Sequence, residues 1–149
     1  MSTPDGIAYE WKDGRWSLRF DEIAIVGEYT NELGPFADDY YFCFVRLDGV
    51  HWNDGSFYAE GRDELLSALA RHFGVSFECE LCNSTTFNSR IMWPPALRDR
   101  SLFEYKDPVP RNRLSAWLRT IGLKPITNVQ TVAAEIREFL VSTVHIQTP

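Results

Sequence analysis

Apolar and polar residues change their spacing several times along the chain, and each change marks an element. Arg15 to Phe20 alternates about Trp16, Leu18 and Phe20, the two-residue period of a half-buried strand, and Ile23 to Tyr29 continues with β-branched and aromatic residues. Asn31 to Pro35 supplies turn residues, after which Tyr40 to Val45 is apolar at every position. A strand without a polar face needs cover on both sides, so Tyr40–Leu47 is expected at the centre of a sheet. Asp48-Gly49 and Asn53-Asp54-Gly55 predict turns, and Phe57-Tyr58-Ala59 a short strand, together a surface hairpin.

The period then lengthens. Leu65, Leu66, Leu69, Ala70 and Phe73 share one helical face, Asp63 and Glu64 suit the positive N-terminal end, and Gly74 suits the stop, which predicts a helix over Asp63–Phe73. Val75 to Leu81 returns to alternation, with Phe77, Cys79 and Leu81 opposite Glu78 and Glu80, and is expected as an amphipathic strand. Phe87–Trp93 predicts another strand, Pro94-Pro95 a stop, and Leu102–Tyr105 a short strand. Pro108 and Pro110 introduce an expected helix over Arg111–Ile121, with Leu114, Trp117, Leu118 and Ile121 on one face, and a last helix is expected over Asn128–Val141. The pattern predicts an α+β fold. A mainly antiparallel sheet of early strands would be packed by the central helix and the two C-terminal ones, in one domain spanning 1–149.

Composition narrows the class. Hydrophobic residues at 44% and charged residues at 24% are those of a folding chain, and no apolar run approaches the roughly 20 residues of a membrane-spanning helix. The opening residues lack the basic and apolar pattern of a secretory signal, and three cysteines are too few for a disulfide framework. The expectation is a cytoplasmic protein with reduced thiols and no membrane partner. The net charge of −6 is uneven, since residues 1–64 hold fourteen acids against five bases and residues 65–149 seven against ten. Such asymmetry steers partners toward one face.

No nucleophile stands with a base, no Gly-rich phosphate loop is present, and the histidines are scattered at 51, 72 and 145, so no catalytic residue is assigned. Cys79 and Cys82 have zinc-site spacing, but alternation in a strand sends the two thiols to opposite faces and no second pair completes four ligands. Neither metal nor cofactor is expected. Arg90 to Arg119 interleaves seven bases with Trp93, Phe103, Tyr105 and Trp117, a pairing suited to single-stranded nucleic acid, but the acidic whole argues against that partner.

What remains is recognition of another protein. Asp38, Asp39, Asp48 and Asp54 would speed encounter, with Trp52 and Tyr58 as aromatic anchors, in a non-catalytic domain of the small acidic inhibitor or immunity type. Homo-oligomers are compatible with this outline. The alternative is a small enzyme or small-molecule-binding domain with a pocket beside the central strand lined by Glu28, Tyr41, His51 and Arg90.

Overall fold

The computed structural model describes residues 2–12, 14–31, 37–106 and 129–146. Its centre is a four-stranded antiparallel sheet made of β4 (Ile23–Thr30), β5 (Tyr40–Arg46), β6 (Trp52–Ser56) and β7 (Asn88–Trp93), in the order β6-β5-β4-β7. A meander of β1 (Ser2–Thr3), β2 (Gly6–Trp11) and β3 (Gly14–Arg19) precedes it, and β8 (Phe103–Lys106) pairs with β9 (Val129–Val132). Two helices, α1 (Arg62–Phe73) and α2 (Ala134–Ile146), complete the α+β architecture among the described residues.

Both interior strands are buried on both faces because both faces are covered. Val26, Phe42 and Phe44 pack with Ile7 and Leu18 of the meander and with Leu65 and Leu69 of α1. On the opposite face Ile25, Tyr29, Cys43 and Val45 pack with Phe103, Val132 and Ile136 of β8, β9 and α2. Burying each such side chain removes about 1.5–3 kcal/mol worth of apolar surface from water, and this holds the three layers together.

The edges of the sheet are closed without further strands. Arg46 N–H donates to the His51 carbonyl and Phe57 N–H to the Tyr40 carbonyl, so the odd-numbered residues of the β6 segment face β5 with their backbone groups. The even-numbered ones turn outward, and there Trp16 Nε1 donates to the Asp54 carbonyl at 2.8 Å while Ser56 N–H donates to the Tyr9 hydroxyl at 2.9 Å. At the β7 edge, Ile91 N–H donates to the Arg100 carbonyl and Asp99 N–H to the Ile91 carbonyl, both at 2.9 Å. Satisfied edges resist pairing with another chain.

Several expectations are corrected. Asn53-Asp54-Gly55 lies inside β6 rather than in a turn, because Gly55 sits under the Tyr9 ring, where an added Cβ would stand 3.4 Å from ring carbon. Phe57–Ala59 is the turn that follows β6. β2 adds a strand beyond those expected, its Ile7 and Tyr9 alternating with exposed Ala8 and Glu10. Val75–Leu81 keeps its alternation, with Phe77 and Cys79 inward and Glu78 and Glu80 outward, but among the described residues no strand lies alongside to form a ladder. The last helix begins at Ala134 and not at Asn128, because Val129–Val132, with two valines and a threonine, pairs with β8 instead. The expected helix Arg111–Ile121 and most of the Asn31–Pro35 turn lie outside the described residues.

Candidate functional site

Asp38 and Asp39 enter β5 where β6 ends, and the turn after β6 brings Tyr58 to them. Asp38 Oδ2 accepts from Ser56 Oγ at 2.6 Å and from Trp11 Nε1 at 3.0 Å, and its backbone carbonyl accepts from the Tyr41 hydroxyl at 2.8 Å. The Ser56 hydrogen bond first, then that of Trp11, holds the Asp38 carboxyl below the usual carboxylate range against a partial desolvation cost. Asp39 Oδ1 accepts from the Tyr58 hydroxyl at 2.7 Å. That bond and the neighbouring negative charges push the Tyr58 phenol up to about 12, while its ring stays 51% exposed.

The acidic surface continues past Tyr58. A cleft of about 340 Å³ is lined by Phe57, Tyr58, Gly61, Arg62, Asp63 and Glu64 at the start of α1. Arg62 lies over the Phe57 ring at 4.5 Å and pairs with Asp63 at 2.9 Å, so part of its charge is already met. Asp63 and Glu64 are exposed and line this cleft with Tyr58, so among the described residues Asp38, Asp39, Asp63 and Glu64 adjoin the ring, with Arg62 and Lys12 as neighbouring bases. By their spacing Asp63 and Glu64 read only as the start of a helix, and the cleft they line with Tyr58 gives them a second place.

The remaining expected contacts lie elsewhere. Asp48 sits at the far turn of the hairpin, beyond the other end of β5, whose seven residues span about 20 Å at about 3.3 Å per residue. There its Oδ1 accepts from Val50 N–H and His51 N–H, both at 2.8 Å, and its Oδ2 meets His51 Nδ1. Asp54 turns its carboxylate inward: Trp52 Nε1 donates to Oδ2 at 3.2 Å, and Tyr29 and Cys43 face the same group. Burial first, then Asp54, pushes both the Tyr29 phenol and the Cys43 thiol up. Trp52 is half-buried against Phe103 at 5.1 Å, and Trp93 lies 4.3 Å from Phe73, so both indoles close the ends of the apolar layers.

Of the alternative pocket set, only Glu28 and Arg90 meet. They stand opposite each other on β4 and β7, both buried, with Arg90 Nε at 2.8 Å and Nη2 at 2.7 Å from Glu28 Oε1. Tyr40 donates to the other Glu28 oxygen. Tyr41 belongs to the opposite face of the sheet, and His51 is exposed at the hairpin turn. Arg90 Nη1 also reaches Glu80 at 2.8 Å and Asp99 at 2.9 Å, and Nη2 donates to the Glu78 carbonyl. All five guanidinium N–H groups are thereby engaged, an arrangement that fixes a fold rather than a substrate.

Cys43 is buried, Cys79 half-buried and Cys82 exposed. Among the described residues no three His, Cys, Asp or Glu side chains gather as a metal site, and no helix is long and apolar enough to cross a membrane. His72 rests on the Phe20 ring at 4.8 Å. Comparison of the chain with protein-family models, with curated proteins and with solved structures finds no match.

Proposed function

We propose that the chain is a non-catalytic protein-binding domain of the small acidic inhibitor or immunity type, and that the face around Tyr58 docks a basic protein surface. The supporting observation is the Tyr58–Asp39 pair: an aromatic ring half in solvent, its hydroxyl held in place, beside the carboxylates of Asp38, Asp63 and Glu64, of which Asp63 is paired with Arg62. A tyrosine fixed before binding loses little side-chain entropy on contact, and an acidic rim speeds encounter with a basic partner. Because the outward backbone groups of Asp54 and Ser56 are already occupied, docking here works through side chains and not by strand addition.

A photo-crosslinking residue in place of Tyr58, compared with one in place of exposed Val141 on α2, tests the reading. The expected result is capture of a basic protein at position 58 alone. With the purified pair, Asp63→Asn combined with Glu64→Gln should weaken binding, and raising salt should slow association. Equal capture at both positions, or a purified complex indifferent to salt and to the two substitutions, would refute it.

A further inference from the structure

Residues Val75–Glu80 lie against the face that α1 and the meander also cover, and their attachment is unusual. No backbone–backbone hydrogen bond ties them to another element among the described residues. Side chains hold them instead. Arg90 Nη2 donates to the Glu78 carbonyl at 2.5 Å, Arg90 Nη1 pairs with the Glu80 carboxylate at 2.8 Å, and Glu80 N–H donates to Glu28 Oε1 at 3.1 Å. Inward, Phe77 lies 6.4 Å from the Phe73 ring, and Cys79 reaches the Tyr40 hydroxyl, whose ring stacks on Phe57 at 4.2 Å. The following turn, Leu81–Asn83, adds one buried residue, Leu81.

We propose that residues 75–83 form a strap that opens as a unit while the rest of the domain stays folded, uncovering Tyr40 and Phe73. Segments with few buried side chains and no ladder open at much lower free energy than a sheet core. Opening breaks two contacts of the Arg90 guanidinium and one of Glu28, yet leaves the Glu28–Arg90 pair and the Arg90–Asp99 contact intact. The hub therefore serves as a latch: its permanent half belongs to β4 and β7, and its releasable half belongs to the strap. Tyr40 and Phe57 adjoin the Tyr58 face, so an open strap enlarges that face with apolar surface. The strap itself does not depend on the docking proposal.

The three cysteines lie at three depths and report the motion in the native chain. Thiol labelling with peptide mass spectrometry, normalised to the unfolded chain, should find Cys82 labelled at once, Cys79 about tenfold or more slower, and Cys43 about a hundredfold slower again. The Cys79 rate should depend weakly on urea and the Cys43 rate steeply. Glu80→Gln, a substitution at a half-exposed site, should accelerate Cys79 about fivefold and leave Cys43 unchanged. Cys79 and Cys43 rising together with one urea dependence would overturn the strap, since the segment would then open only with the whole fold. So would Cys79 labelling as fast as Cys82, or a Cys79 rate that Glu80→Gln leaves unmoved.

Discussion

The Trp16 indole N–H donates to the Asp54 carbonyl at 2.8 Å, joining β3 to the outer edge of β6 across 38 positions of sequence. With the Ser56–Tyr9 bond it turns the exposed rim of the sheet into an interior seam, and Trp16 also stacks on Tyr9 with ring centroids 5.0 Å apart. Tyr9→Phe keeps that stack and removes the acceptor of the buried Ser56 N–H. The expected cost is about 1–3 kcal/mol, that of an unsatisfied buried donor, read as a lower urea midpoint with unchanged slope.

Glu28 and Arg90 show how a charge survives inside an apolar layer. Arg90→Met leaves Glu28 buried without its cation and should cost about 3–5 kcal/mol. Adding Glu28→Met should recover most of that loss, because a methionine pair fills the space without a desolvation penalty. A double-mutant cycle by urea denaturation measures the coupling, and additive losses would contradict the buried-pair account.

Gly27 lies on β4 where a Cβ would stand 2.8 Å from the Arg90 carbonyl and 2.8 Å from Leu102 Cδ2. One of those neighbours is backbone, so Gly27→Ala must push β7 aside. The expected destabilisation is about 2–3 kcal/mol, measured the same way. Gly27 alternates with Ile25 and Tyr29 on the face beneath β8, and no neighbouring residue in the sequence announces that closeness.

How far the sequence reached follows from what each element depends on. Tyr40–Arg46 and Arg62–Phe73 were legible because a doubly apolar run and a 3.6-residue stripe are properties of the segment alone. Val75–Glu80 alternates as a strand does, but a ladder also needs a neighbour, and that depends on residues far away. Val129–Val132 fits a helical stripe and a strand equally, and pairing with β8 decides between them. In the candidate site, Asp39 and Tyr58 were legible by residue type. The grouping was not: turns carry Asp48 to the opposite end of the hairpin and strand pleat turns Asp54 inward. Glu28 within Ile23–Thr30 was the one local sign of a buried partner, and Arg90 supplies it from 62 positions away.

Asp48 gives a pH-dependent contribution whose sign can be worked out. Hydrogen bonds from His51 and Val50 N–H, set against some desolvation, hold its carboxyl at about 2, below the ordinary aspartate range. A depressed folded value stabilises the native state at pH above the unfolded value, and that stability is lost as pH falls from about 4 through 2. The side chain is 48% exposed, so solvent screening limits the effect to about 1 kcal/mol. Asp48→Ala should lower stability by that amount at neutral pH and by little at pH near 2, and an equal loss at both would exclude the carboxylate as its source.

Tyr58 links local chemistry to the proposed docking face. Its phenol is raised from 10.0 to about 12, chiefly by the hydrogen bond to Asp39. An ultraviolet phenolate titration should therefore lose a late step at about pH 12 in Tyr58→Phe, while Asp39→Asn should move that step down toward 10. The raised value favours the folded chain below about pH 10 and is lost as pH rises through 12, though exposure of the ring keeps its effect on stability small. Both variants should remain folded, because neither residue lies in the apolar layers. In a purified complex Tyr58→Phe should slow association little and speed dissociation, whereas Asp39→Asn should act mainly on association. That division separates an anchoring ring from a steering charge, and the reverse pattern would show that the ring does not seat in the partner.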